Sequence, residues 1–168
     1  MASRRGDRRR GGWPTGLFLV GFALLIAGPV AEAAGALGPQ VELPAWRVGP
    51  GVVLAVAAIG LAIWAQEAMG AAWVADIVPR ADVKVATEGP FRRVRNPTYC
   101  AMVTVGVASV LLAPNALATA GLAVLCVSVA LTARAEEPLL RERLGEPYRQ
   151  YAARTGRFIP GIGRLRGE

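Results

Sequence analysis

Three small groups of polar residues interrupt an otherwise apolar chain, and each has side chains able to hold a charged ligand. Residues 89–99 read "GPFRRVRNPTY" and set Arg92, Arg93 and Arg95 beside Asn96 and Tyr99. Glu136 and Glu137 form an acidic pair, and Arg154 and Arg157 follow in the tail. Guanidinium groups bind carboxylates and phosphates through paired hydrogen bonds, and carboxylates accept from ammonium or hydroxyl donors. A cationic and an anionic edge side by side suit a small zwitterionic ligand. They suit a plain structural salt bridge equally well, and residue types alone leave both open.

What is missing narrows the chemistry further. The chain has no histidine, which removes histidine-based triads, histidine-ligated haem and most zinc sites. Its two cysteines, Cys100 and Cys126, are too few for an all-cysteine metal site and read as small apolar residues. No metal is expected. A proton acceptor would have to come from Glu67, Tyr99 or the Glu136–Glu137 pair.

The elements that position these groups are read from hydropathy. Of 168 residues, 54% are hydrophobic, and mean hydropathy is +0.40. Apolar runs cover Thr15 to Ala31, Gly51 to Ala65, Tyr99 to Ala113 and Asn115 to Ala133. Each is near the roughly 17–25 residues that cross a bilayer as a helix. The expected fold is all-α and membrane-integral, with about four transmembrane helices. Only Pro114-Asn115 separates the last two runs, which predicts a tight helical hairpin with Gly106, Ala108, Ala118 and Gly121 allowing close approach. That hairpin would bring Arg95–Tyr99 next to Glu136–Glu137. Gln66 and Glu67, in "WAQEAMG", enter the second span near its wet end or facing other protein. Gly28-Pro29 and the glycines after it mark the end of the first span. Residues 1–14 read as a disordered basic arm, and 15–168 as one membrane domain. In the tail, Pro138 and Pro147 each suit a helix start, and Leu139, Leu140, Leu144, Tyr148 and Tyr151 make an apolar stripe, interrupted near Gly145. Short amphipathic helices on the inner membrane face are expected there.

The net charge of +7 is confined to alternate segments. Arg4, Arg5, Arg8, Arg9 and Arg10 precede the first run; Arg80, Lys84, Arg92, Arg93 and Arg95 lie between the second and third; more arginines follow the fourth. Four crossings with both termini cytoplasmic place every basic segment inside, as the positive-inside rule expects. Topology thus accounts for the charge without a nucleic-acid partner; the bilayer is the expected one. Arg92 and Arg93 read as topology or headgroup anchors, Trp64 and Trp73 as interfacial belt residues. Lys84 is the one lysine against eighteen arginines, which suggests a GC-rich bacterial source and hence the inner membrane. The segment up to "VAEAAG" also has the form of a secretory signal cleaved after Ala33. The length of its apolar run favours a retained helix.

Taken in order, "WAQEAMG", "VATEGPFRRVRNPTY" and "AEEPLLRERLGEPYRQYAARTGRFIPG" resemble the isoprenylcysteine carboxyl methyltransferase family and its bacterial relatives over roughly Trp64 to Gly161. The phospholipid N-methyltransferases are similar in their C-terminal half. The resemblance implies a membrane-embedded methyltransferase that uses S-adenosyl-L-methionine, reached from the cytoplasm, and a lipid-like or small hydrophobic acceptor reached from the bilayer. It implies that Arg95, Asn96, Pro97, Tyr99, Glu136 and Glu137 surround the cofactor, with Arg95, Arg154 and Glu137 at the reacting centre. The family usually has histidine where this chain has Asn96. Asparagine keeps a donor and an acceptor but carries no proton at neutral pH, so an acid–base role there is not expected. A carboxylate acceptor would arrive already ionised and need no base. A phospholipid amine or a thiol would need one.

Overall fold

The computed structural model describes residues 12–37, 43–70 and 85–165. The expectations for residues 1–11 of the basic arm and for Trp73, Arg80 and Lys84 fall outside these. Among the described residues four helices follow one another: α1 (Gly12–Ala33), α2 (Ala45–Met69), α3 (Pro97–Leu112) and α4 (Ala116–Arg154), with a short 3-10 turn at Gly89–Arg92 before α3. No strand occurs among the described residues, and the protein is an all-α integral membrane protein. In α1, α2 and α4 the helix is long and apolar enough to cross a bilayer. α3 has 16 residues, about 24 Å at 1.5 Å per residue, against an apolar core of about 30 Å. Proline fixes both its ends: Pro97 opens it, and Pro114 follows its last turn.

The boundaries depart from the apolar runs where backbone chemistry overrides composition. α1 starts at Gly12, inside the expected basic arm, and continues through Pro29 to Ala33. It stops in a Schellman turn: Ala36 N donates to Ala31 O, Gly35 N donates to Glu32 O, and Gly35 takes φ +71°. α2 begins six residues before its apolar run and absorbs Pro50.

Two compact units divide the chain, one made of residues up to 57 with 103–135, the other of 58–102 with 136–168. In the first, α1 lies against α4 at backbone contact distance. A Cβ on Gly21 would sit 2.9 Å from Leu125 N, and one on Gly121 would sit 2.8 Å from Leu25 N. Without an added hydrophobic drive in lipid, such close approach is what holds membrane helices together. Polar bonds finish the contact at its ends. Ser128, fully buried, donates to Pro14 O at 2.8 Å. Asn115 caps α4 by accepting from Ala118 N at 2.8 Å, and its Nδ2 donates to Glu32 Oε2 at 2.8 Å. A Cβ on Gly106 would meet Leu122 at 2.9 Å, so the α3–α4 hairpin is as tight as the two-residue connection predicts. Leu19, Ile26, Val30, Val52, Val53 and Val56 are exposed, an arrangement suited to lipid rather than water.

In the second unit, α4 does not stop at the glutamates. Residues 136–144 continue it without interruption through Pro138, where a helix start was expected. The change of direction comes at Gly145, with φ 60° and ψ −139°, and Pro147 opens the arm that follows. Glycine alone takes that conformation at no steric cost, so the break falls there. The tail therefore begins as an extension of α4 and continues past the kink at Gly145 as a second helical stretch that Pro147 opens, as the sequence suggested.

Gly121→Val tests the helix contact. The added side chain meets backbone rather than a movable side chain, and overpacking of this kind costs about 1–3 kcal/mol. The variant should melt at a lower temperature than the parent in the same detergent, followed by far-UV circular dichroism.

Candidate functional site

The segment before α3 is pinned on both sides. Gly89, at φ +57°, lies where a Cβ would be 3.0 Å from Trp64 Nε1, so the turn packs flat on α2. Val94 then pairs in parallel with Gly156; Arg95 N donates to Gly156 O at 2.8 Å, and Asn96 N donates to Arg157 O at 3.2 Å. Gly156 is buried, and a Cβ there would collide with the backbone of residues 159–162. The tail thus runs beside residues 94–96 by main-chain bonding, and this brings together side chains far apart in sequence.

At the centre is Glu137. Its Oε1 accepts from Arg95 Nη2 at 2.6 Å and from Arg157 Nε at 2.9 Å; its Oε2 accepts from Arg157 Nη2 at 2.5 Å. Burial pushes the Glu137 carboxyl up. The hydrogen bonds from Arg157 and Arg95, with their charges, more than offset that and hold it below the usual carboxylate range. Lying beyond the apolar part of α4, it is an ionised group in a mostly dry setting. The bond to Glu137 raises Arg157 in turn, against the opposing effect of burial.

Arg95 is nearly inaccessible and spends its guanidinium on the protein. Nη1 donates to Ala152 O at 3.1 Å and to Thr155 O; Nη2 donates to Glu137 and to Gly163 O at 2.9 Å. Its Nε is buried without a partner among the described residues. Asn96 Nδ2 donates to Arg157 O at 3.2 Å, so its amide straps the tail down. Pro97, fully buried, opens α3. Tyr99 donates to Glu136 Oε1 at 3.0 Å, and this pair is only partly buried. Cys100 Sγ donates to Phe158 O at 3.2 Å. Tyr151 donates to Phe91 O at 2.8 Å, and burial pushes its phenol well up, with help from Tyr148.

Of the residues expected at the site, Arg95, Asn96, Pro97, Tyr99, Glu136 and Glu137 are gathered in this one unit. Arg154 is exposed, and it is Arg157 that reaches Glu137. The sequence signal for this was slight: the turn residues of "RTGRFIPG" announce a chain reversal, without saying which arginine it carries inward. Arg92 and Arg93 are exposed, consistent with an anchoring role. Glu67 is exposed as well.

A helical membrane protein with a buried arginine–glutamate–arginine cluster at the polar ends of two apolar helices is the class that fold and site define. The isoprenylcysteine carboxyl methyltransferase family matches residues 51–142, more than half of the chain, and the chain belongs to that family. The family's activity is methyl transfer at a membrane, and its enzymes generally use S-adenosylmethionine. The matched stretch includes Arg95 to Tyr99 and the Glu136–Glu137 pair; Arg154 and Arg157 lie beyond it. No curated protein and no solved structure matches the chain.

Burial separates the arginines in a way that thermal or chemical unfolding can read. Arg95→Gln removes one partner of a buried ion pair and takes a donor from three carbonyls, so a loss of about 3–5 kcal/mol is expected. Arg92→Gln, at an exposed position, should stay within about 0.5 kcal/mol of the parent.

Proposed function

We propose that this protein transfers a methyl group from S-adenosyl-L-methionine to a carboxylate, or another nucleophile, of a lipid-like or small hydrophobic acceptor. The reaction takes place at the cytoplasmic face of a bacterial inner membrane. The observation that carries this reading is the family match over more than half of the chain, a stretch that includes Arg95 and Glu137.

The donor set fits the cofactor. S-adenosylmethionine has an ammonium and ribose hydroxyls that need acceptors, and the partly buried Glu136 carboxylate with Glu137 Oε2 would supply them. Bound here, it would provide an electrophilic methyl on a sulfonium centre, open to in-line attack. Arg95 has no terminal donor left for a ligand, so its part is positioning: it fixes Glu137 and the carbonyls of the tail. Asn96 and Pro97 fix the backbone edge in the same way. Tyr99 and Glu136 are the ligand-facing pair. Arg154 is exposed, and its role would be to meet an acceptor rather than the cofactor.

Such a site works by alignment and exclusion of water. Correct placement of donor and acceptor can supply about 7–11 kcal/mol. Asn96 donates its amide to a carbonyl and has no proton to take up, which favours an acceptor that arrives ionised.

Equilibrium binding of labelled S-adenosylmethionine to the purified protein is the direct test, and a parent that does not bind it refutes the proposal. Glu136→Gln and Glu137→Gln should both weaken binding, the second with a loss of thermal stability that the first lacks. In membranes matched for protein level, Arg95→Gln should lower methyl transfer at least about tenfold, equivalent to about 1.4 kcal/mol of transition-state stabilisation. Arg92→Gln should be nearly silent.

Orientation has its own measurement. With four helices and the basic segments of the sequence inside, reporters fused after Glu168 should be active only as cytoplasmic fusions. Activity of a periplasm-dependent reporter at that position would reverse the assigned topology.

A further inference from the structure

Arg157 sits outside the stretch that the family match covers, yet it is bound to Glu137 through two of its nitrogens. A guanidinium has two edges that can each bind a carboxylate with parallel hydrogen bonds: Nε with one Nη, and the two Nη together. In Arg157 the Nε–Nη2 edge is taken by Glu137. Nη1 makes no hydrogen bond among the described residues, and the side chain keeps 23% of its surface, against 2% for Arg95.

Charge points the same way. Arg95 and Arg157 bring two permanent positive charges to one carboxylate, Glu137, so this set of contacts is one anion short. The neighbouring carboxylate, Glu136, meets the hydroxyl of Tyr99. A cation taken partly out of water is stabilised by a second counter-ion.

The residue is also held in advance of binding. Arg157 N donates to Ile162 O at 2.8 Å, and Arg157 O accepts from both Asn96 N and Asn96 Nδ2. Backbone and inner edge are fixed by the fold, so little conformational freedom is left to lose when a ligand docks.

We propose that Arg157 is a further ligand-binding residue of this site, taking a carboxylate on its Nη1 side while Glu137 fixes its opposite edge. The identity of that ligand rests on the methyltransferase reading: the carboxylate belongs either to the amino-acid end of the cofactor or to an ionised acceptor. Glu137 then also holds Arg157 in position, and its two arginines differ in role. Arg95 builds the site, and Arg157 uses it.

The test uses the full chain in detergent or nanodiscs and three probes: S-adenosylmethionine, its decarboxylated form, and dodecanoate. Arg157→Gln should bind S-adenosylmethionine at least about tenfold more weakly while the decarboxylated form is unchanged, which assigns the carboxylate to the cofactor. A matching loss for dodecanoate, with both cofactor forms retained, assigns it to the acceptor and equally supports the role of Arg157. Arg157→Lys should restore only part of either loss, because lysine lacks the second edge. The unchanged probe in each arm reports that the site is still folded. Equal loss for S-adenosylmethionine and its decarboxylated form, or no loss for either carboxylate, overturns the assignment. A parent that binds dodecanoate but not S-adenosylmethionine refutes the proposed function and leaves the dodecanoate arm to judge Arg157. Binding of neither refutes both.

Discussion

One carboxylate, that of Glu137, is shared by two arginines from different parts of the chain, and the polar half of the molecule is organised around it. An ionised carboxylate out of water costs several kcal/mol, and only close, well-directed donors recover it. Arg95 and Arg157 supply three hydrogen bonds between them. The arrangement holds only if the start of α3, the end of α4 and the tail are all in place. Arg95 makes this explicit, since the same guanidinium also reaches carbonyls of Ala152, Thr155 and Gly163. A charge that is expensive to bury thereby specifies where three segments must meet.

The apolar unit solves a different problem. In lipid there is no hydrophobic reward for helix association, so contact depends on how closely backbones can approach. Glycines at positions 21 and 121 permit that approach, and Ser128 and Asn115 satisfy polar groups at the ends. Large exposed aliphatic side chains then require nothing but lipid. α3 gains its place through the hairpin turn rather than through length.

Chemically, neither Asn96 nor Glu137 is suited to carry a proton near neutrality. Asn96 carries no proton, and Glu137 is held ionised by its partners. A methyltransferase can work in such surroundings, because displacement at a methyl group demands alignment and a dry path more than proton transfer. The division of labour follows from exposure. Arg95 is fully consumed by the protein and positions other groups, and the ligand contacts proposed above fall to the more exposed Arg157, Tyr99 and Glu136.

Hydropathy and punctuation in the sequence were enough to determine the all-helical membrane class, the tight turn at Pro114-Asn115, and the meeting of the Arg95–Tyr99 block with Glu136–Glu137. Each of these follows from local signals: apolar run length, proline geometry, and a connection too short for anything but a hairpin. The extension of α4 through Pro138 was not legible, whereas the interruption near Gly145 and the short apolar run of α3 were. A proline can open a helix or sit within one, and only the surrounding contacts choose. The choice of Arg157 over Arg154 as the partner of Glu137 was also left to the tertiary structure. It depends on the kink at Gly145 and on the turn after Gly156, where backbone packed on backbone leaves no room for a side chain. Two arginines three residues apart look equivalent in a sequence, and only the direction in which the backbone carries each one separates them.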